Sequence, residues 1–358
     1  MKKYLFHLGH PAHFHLFKNV IINLKDNGNI ILILIKKKDV LEDLLKKSDL
    51  KYLNILPEGR RDNIFSIALG QLKQDFGLLK AAIKFKPDLM LGTSVAISHV
   101  GKILNIPSIN FNEDDAEIVP LYAKLAYPWA TAIIAPNVCS VGRWGFKKIG
   151  YEGYHELAYL HPNHFKPNIE IVNKYFSTKK KYFIIRFAKL TAHHDKDISG
   201  INNNQAKRII EILKPNGNIY ITSEKELEPE FEKFRININP LDIHHVLAFA
   251  SLYIGDSQTM AAEAGVLGVP FIRINSFVGR ISYLNEIENK YKLGFGFKPD
   301  AETFIYAKIE ELMQNQELKL DFLKKRQEML NDKIDVTQFI LNLIYQFHKN
   351  NNKFSLTL

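Results

Sequence analysis

The stretch from residue 255 to residue 270, Gly-Asp-Ser-Gln-Thr-Met-Ala-Ala-Glu-Ala-Gly-Val-Leu-Gly-Val-Pro, carries the most chemistry in the chain. It reads as the end of a strand, a tight polar turn, a helix, a glycine stop and the next strand. The amides of Gln258, Thr259 and Met260 would point out of the helix start, with the positive end of the dipole behind them. Hydroxyls on Ser257 and Thr259 add donors, which suits the turn to a phosphate. Glu263 follows Thr259 by one helical turn on the same face, where a carboxylate can accept bonds from ribose hydroxyls. The plainer alternative is that Ser257 or Thr259 only caps the helix while Glu263 favours its first turns.

A second set lies near the N-terminus. His10, His13 and His15 stand between the first strand and its helix, directly after Gly9. No cysteine or carboxylate joins them at a metal-ligand spacing, so no metal is expected. Proton transfer suits them better, because imidazole titrates near neutrality. His7 falls within the strand and is expected to be structural, as is His15. This loop is no dinucleotide fingerprint, since the second and third glycines are missing.

Carboxylates and cations follow other strands. Asn112-Glu113-Asp114-Asp115 supplies candidate bases or sugar-hydroxyl acceptors, with Asp114 the first choice; the alternative is an acidic first turn for the helix that follows. Arg186 at a strand end and His194 in the next loop would neutralise a departing diphosphate, so no metal cofactor is expected. Asp195-Lys196-Asp197 has the letters of a manganese-binding signature but not its context. His244 and His245 border the base pocket or simply follow Asp242 as helix cap. The single Cys139 excludes an intramolecular disulfide and is expected to pack as a small hydrophobe.

The 255–270 stretch is similar to the nucleotide-sugar site of GT-B-type enzymes. It resembles most the non-hydrolysing UDP-N-acetylglucosamine 2-epimerases and the MurG-like glycosyltransferases. That resemblance implies Ser257, Gln258 and Thr259 on the diphosphate and Glu263 on the ribose. The sequence departs from the epimerases at Gln258-Thr259, where they carry a glycine pair, and in its opening Gly-His-Pro-Ala-His. In MurG-like enzymes a histidine closes the comparable loop, which puts His13 first and His10 second as the base. The whole chain also resembles the DUF354 family, through Gly9-His10-Pro11-Ala12-His13, Tyr154-His155-Glu156-Leu157-Ala158-Tyr159-Leu160 and residues 255–270.

The elements that must hold these residues alternate along the chain. Strands are expected at 5–8, 30–35, Tyr52–Leu56, 89–91, 106–111 and 132–135, with helices at 17–24, 40–47, Ile64–Phe85, Val95–Leu104 and 117–127. Unbroken apolar runs such as 30–35 suit parallel strands covered on both faces. Residues 145–167 break the pattern and read as a connection. Strands at 182–186, 219–222, 252–254 and Phe271–Ile274 then alternate with helices at 204–213, 241–250 and 259–267, and the chain is helical in period from 302 onward. The fold class is therefore α/β, GT-B-like, with two Rossmann-like doubly wound domains facing a central cleft. The expected domains are residues 1–165 for an acceptor, 166–330 for the donor, and a 331–358 helix and tail packing back on the first.

With 358 residues and 46% hydrophobic content the chain has material for two cores. Its 48 Lys and Arg against 38 Asp and Glu leave +10. The basic residues are scattered without a nucleic-acid motif, so no nucleic-acid partner is expected. No segment has the apolar length of a membrane span, and the start lacks a signal peptide, so the expected location is cytoplasmic. Lysine runs and the helices of 318–348 leave room for peripheral contact with an anionic membrane. The resulting expectation is a metal-independent, inverting glycosyltransferase. It would move a sugar from a nucleotide-diphosphate donor, a UDP-sugar, to a cell-envelope, glycan or lipid-linked acceptor, the nucleotide-sugar being substrate and no cofactor being needed. The alternatives are a UDP-sugar 2-epimerase or hydrolase, or a non-catalytic sensor or scaffold.

Overall fold

The structure, a computed structural model, describes residues 1–36, 40–56, 64–188, 200–224 and 226–354. The chain divides into two compact units, Met1–His164 with Ile334–Leu358, and Phe165–Lys333.

The first unit is built on seven parallel strands: β1 (Lys3–Leu8), β2 (Ile30–Lys36), β3 (Tyr52–Leu56), β4 (Leu89–Gly92), β5 (Ser108–Phe111), β6 (Ala132–Pro136) and β7 (Lys148–Tyr151). Their order is β3-β2-β1-β4-β5-β6-β7, so the direction of winding reverses between β1 and β4. Helices α1 (Pro11–Asp26), α2 (Leu41–Lys47), α3 (Ile64–Phe85), α4 (Val95–Leu104), α5 (Pro120–Ala126) and the short α6 (Leu157–Leu160) connect or follow them. On one face Leu78 and Ala82 of α3 and Ala96, Ile97 and Val100 of α4 pack on Leu5, Leu34 and Met90. Elsewhere Phe17 of α1 sets its ring edge against Phe6 and Phe111, with centroids 5.4 and 4.9 Å away. Apolar strands clothed by helices exclude water from both sides of the ladder, which is what a parallel sheet requires.

The second unit contains β8 (Tyr182–Phe187), β9 (Asn218–Ser223), β10 (Leu252–Gly255), β11 (Phe271–Ile274) and β12 (Gly294–Phe297), in the order β12-β11-β10-β8-β9. Here the winding reverses between β8 and β10. Its helices are α7 (Ile169–Val172), α8 (Asn203–Leu213), α9 (Pro229–Glu232), α10 (Ile243–Ala248), α11 (Gln258–Leu267), α12 (Ser282–Asn285), α13 (Glu302–Gln314) and α14 (Leu318–Asp332). The last helix, α15 (Val336–Lys349), belongs to the first unit, where Thr337 Oγ1 donates to the carbonyl of Ala158 at 2.7 Å.

Several elements differ from the sequence reading. The strand expected at 106–111 begins at Ser108, after Pro107 has removed a donor. The helix expected at 117–127 begins only at Pro120, so none of Glu113, Asp114 or Asp115 lies in its first turn. Edge strands β7 and β12 were not anticipated, because Gly150, Gly294 and Gly296 look like turn signals. In β12 the glycines make room instead: a Cβ at Gly294 would collide with the Phe271 ring, and one at Gly296 with the Glu288 carboxylate.

Candidate functional site

Each unit gathers polar side chains where its winding reverses, at the carboxyl ends of the strands, the usual ligand position in doubly wound sheets. In the first unit β1 runs out at Leu8 and the chain turns through Gly9 into α1. His10 is the N-cap of that helix: its Nδ1 accepts from the amide of Ala12 at 3.2 Å, ahead of Pro11 in the first turn. Capping is thus what His10 does in this structure, and its ring lies 5.8 Å from that of His13. His13 Nδ1 accepts from the Gly9 amide at 3.1 Å, and the Thr93 hydroxyl lies against both ring nitrogens, 2.9 Å from Nε2. Thr93 follows Gly92 at the end of β4, where β4 runs so close to β1 that a Cβ at Gly92 would sit 2.5 Å from the His7 carbonyl. Lys36 ends β2 over Gly9. Burial, followed by the charges of His10, Lys36, His155 and His7, holds the His13 imidazole well below its usual range, so its neutral form prevails. His7 is fully buried with Nδ1 2.5 Å from Ser94 Oγ, and His15 packs its ring on Tyr159 and Phe14; both are structural.

The acidic stretch after β5 is a self-bonded turn. Asn112 Nδ2 donates to the carbonyl of Asp114 at 2.9 Å and to Tyr127 Oη at 2.7 Å, which fixes Asp114 at that strand end, partly exposed. Asp115 is buried and accepts from the Ser140 amide at 2.7 Å. Sequence reasoning counted Glu113 among the candidate bases behind Asp114 but gave it no partner. One of its carboxylate oxygens accepts from the His155 amide at 3.1 Å, and the other stands 3.4 Å from His155 Nδ1. His155 Nε2 is buried with no hydrogen-bond partner among the described residues. A carboxylate on one ring nitrogen with the other unpaired is the arrangement that orients an imidazole for proton transfer. The only signal for it was the Tyr154–Leu160 motif, since the two residues lie 42 positions apart. Cys139 is buried as expected and donates its Sγ hydrogen to the carbonyl of Glu113.

In the second unit Arg186 and Gly255 pair across β8 and β10, and the chain passes from Gly255 into α11. A Cβ at Gly255 would lie 3.0 Å from Arg186 Cβ, so the glycine lets the two strand ends approach. Asp256 is buried; Oδ1 accepts from the Ala188 amide at 2.6 Å and its carbonyl from Asn275 Nδ2 at 3.0 Å, tying the turn to the ends of β8 and β11. Ser257 is the N-cap of α11, its Oγ accepting from the Met260 amide at 3.4 Å. That withdraws one of the three amides expected to face a ligand and leaves those of Gln258 and Thr259 at the first turn. Every residue from Ala261 to Leu267 is buried, whereas Ser257, Gln258, Thr259 and Met260 are partly exposed. The helix therefore meets solvent through its positive end.

Two expected ligands are already engaged. Arg186 Nη2 forms an ion pair with Glu224, just past β9. Glu263 is buried, and its Oε1 stands 2.9 Å from His244 Nε2 on α10. The side chain of Asp242 does not cap α10, as was expected; it accepts from Tyr175 Oη at 2.7 Å. His245 is tied to the Asn168 amide at 3.1 Å. His194 and Asp195-Lys196-Asp197 lie outside the described residues. Ser257, Gln258, Thr259 and Arg186 are thus brought to one sheet edge, and His10, His13 and Asp114 to the corresponding edge of the other unit.

A family profile described as "Protein of unknown function (DUF354)" matches residues 4–349. No curated protein matches the sequence. Among solved structures, a UDP-GlcNAc 2-epimerase from Neisseria meningitidis bound to UDP-GlcNAc is 15% identical at a TM-score of 0.64, with 96% of this chain and 100% of that chain covered. A UDP-GlcNAc 2-epimerase from Methanocaldococcus jannaschii is 15% identical at a TM-score of 0.63, with 96% and 99% covered. A spinosyn rhamnosyltransferase complexed with spinosyn aglycone is 13% identical at a TM-score of 0.60, with 97% and 100% covered. These likenesses establish a two-domain, Rossmann-like GT-B fold.

Proposed function

The chain belongs to the DUF354 family and carries the GT-B fold, and from that premise we propose that it is a glycosyltransferase using a nucleoside-diphosphate sugar. The observation that carries this reading is the start of α11: a helix buried along residues 261–267 opens to solvent at Ser257–Thr259, at the strand ends where the winding reverses between β8 and β10. The diphosphate would sit on the amides of Gln258 and Thr259, with the hydroxyls of Ser257 and Thr259 donating. Glu263 would reach the ribose by exchanging its bond to His244 for one to a hydroxyl. The neighbours fit in both respects, one holding UDP-GlcNAc and another an aglycone.

The reaction is direct displacement with inversion. The acceptor oxygen attacks the anomeric carbon as the bond to the diphosphate breaks, and His13 takes the acceptor proton. Asp114 or the Glu113–His155 pair completes the proton path. The leaving diphosphate gains charge, which the α11 dipole and Arg186 compensate once Arg186 turns from Glu224, so the enzyme works without a divalent cation. The acceptor is a glycan of the cell envelope or of a polysaccharide.

The second reading is a UDP-sugar epimerase, favoured by the epimerases of the same fold and by the carboxylate–histidine pair of Glu113 and His155. Titration with UDP and UDP-sugars in EDTA, followed by assays with and without acceptor, tests both. Binding of UDP that weakens in Glu263→Ala, with turnover only when acceptor is present, is expected. Turnover without acceptor moves the assignment to the epimerase, and failure to bind any nucleoside diphosphate ends both readings.

A further inference from the structure

The outer surface of α3 is not what a helix covering a sheet needs. Its inner row, Gln74, Leu78 and Ala82, is buried against the sheet. On the solvent side stand Leu69, Leu72, Phe76 and Ile83, with Leu72 64% and Phe76 70% exposed. Lys73, Lys80 and Lys84 are exposed beside them. At about 100° per residue these seven side chains share an arc of about 120°. Among the described residues that arc carries no acid: Asp75 lies about 60° outside it and is held by His99 Nδ1 at 2.9 Å and Gln71 Nε2 at 2.8 Å. His99 reaches on to the carbonyl of Leu125 at 3.0 Å, which fixes α5 alongside. Leu121, Leu125 and Trp129 are exposed apolar side chains there, the Trp129 ring 6.4 Å from that of His99, and Lys124 is exposed on the same helix.

We propose that this face of α3 and α5 rests on an anionic lipid bilayer, the apolar side chains entering the acyl boundary and the lysines meeting headgroup phosphates. Among the described residues no helix is long and apolar enough to cross a membrane, and α3 is apolar on a single arc of its outer side, so it lies on the surface. Charge complementarity selects the occupant. In a symmetric pair of chains the three lysines would face lysines of the copy, with no acid on the arc to offset them. An anionic bilayer answers the lysines and the apolar groups together. Of the final helices, expected from sequence to provide such a contact, α15 turns its apolar residues Ile340, Leu343, Ile344 and Phe347 into the first unit.

Co-sedimentation of the full chain with vesicles of phosphatidylcholine, alone or with about a third phosphatidylglycerol, tests the proposal. Binding to the anionic vesicles that weakens as salt rises is expected. The K73A/K80A/K84A variant should bind about a hundredfold less, roughly fivefold per lysine. Leu72→Ser with Phe76→Ser should lose about tenfold or more, whereas Phe304→Ser, at an exposed phenylalanine of the other unit, should change nothing. All these side chains are exposed, so thermal midpoints and UDP binding in solution should match the parent, which separates this test from that of the nucleotide site. Absence of binding at low salt would overturn the proposal. So would full binding by the lysine variant, or a concentration-dependent dimer that Phe76→Ser dissolves.

Discussion

His13 is kept uncharged by where it sits. Removal from water disfavours the imidazolium, and the neighbouring cationic groups act in the same direction. The form that accepts a proton is the neutral one, and it predominates at any pH above the depressed value. If His13 is the base, kcat/KM should stay level between about pH 8 and pH 6, its acid limb falling below the ordinary histidine range near 6.5. His13→Ala should lose about a hundredfold to ten-thousandfold in kcat. Activity retained by His13→Ala and lost in Glu113→Gln and His155→Ala would transfer the role to His155. The histidine cluster was legible because His10, His13 and His15 fall within six residues, although the structure puts His13 and His15 in the first turns of α1 and not in the loop expected before it. The pairing of Glu113 with His155 was not, because only the fold brings residues 42 positions apart together.

At the level of elements, α11 shows a helix with one exit. Its residues 261–267 are buried with Glu263 the one charged side chain among them, and Gly268 at φ 76 ends it in the left-handed region as a glycine after a helix should. Its start was legible from Ser257, yet the same serine supports the cap and the ligand hypothesis alike. Ser257→Ala separates them. Loss of the cap should lower stability by about 1 kcal/mol in chemical unfolding. If the turn also holds a diphosphate, UDP affinity should fall by about tenfold beyond that, while Ser257→Asn, an equally good cap, should restore the stability without the affinity. Where the sequence misled, short edge strands were responsible. Gly294 and Gly296 were written for close packing on Phe271 and Glu288, and a glycine's neighbours in space are not visible along the chain.

The whole molecule is a chain that leaves its first unit at His164 and returns to it at Ile334. Asp335 fastens the return: it accepts from Asn163 Nδ2 at 2.9 Å, stands 2.8 Å from His164 Nε2, and caps α15 through the Gln338 amide at 3.0 Å. Val336 then packs so closely that a Cβ at Gly153 would lie 2.8 Å from it, and Phe339 meets Tyr151 at 5.2 Å. A chain ended after Lys333 should therefore leave residues 165–333 resistant to protease while 1–164 are digested. Equal protection of both would show α15 to be dispensable.

That return also sets the order in which the protein can be finished. On the ribosome residues 1–164 must wait for α15, which emerges only after the entire second unit. At roughly 5–20 residues per second the wait is on the order of ten to forty seconds. During it the surfaces of α1 and α6 that α15 will cover are open to chaperones and to aggregation, whereas the second unit, continuous in the chain, can close as soon as it leaves the exit tunnel.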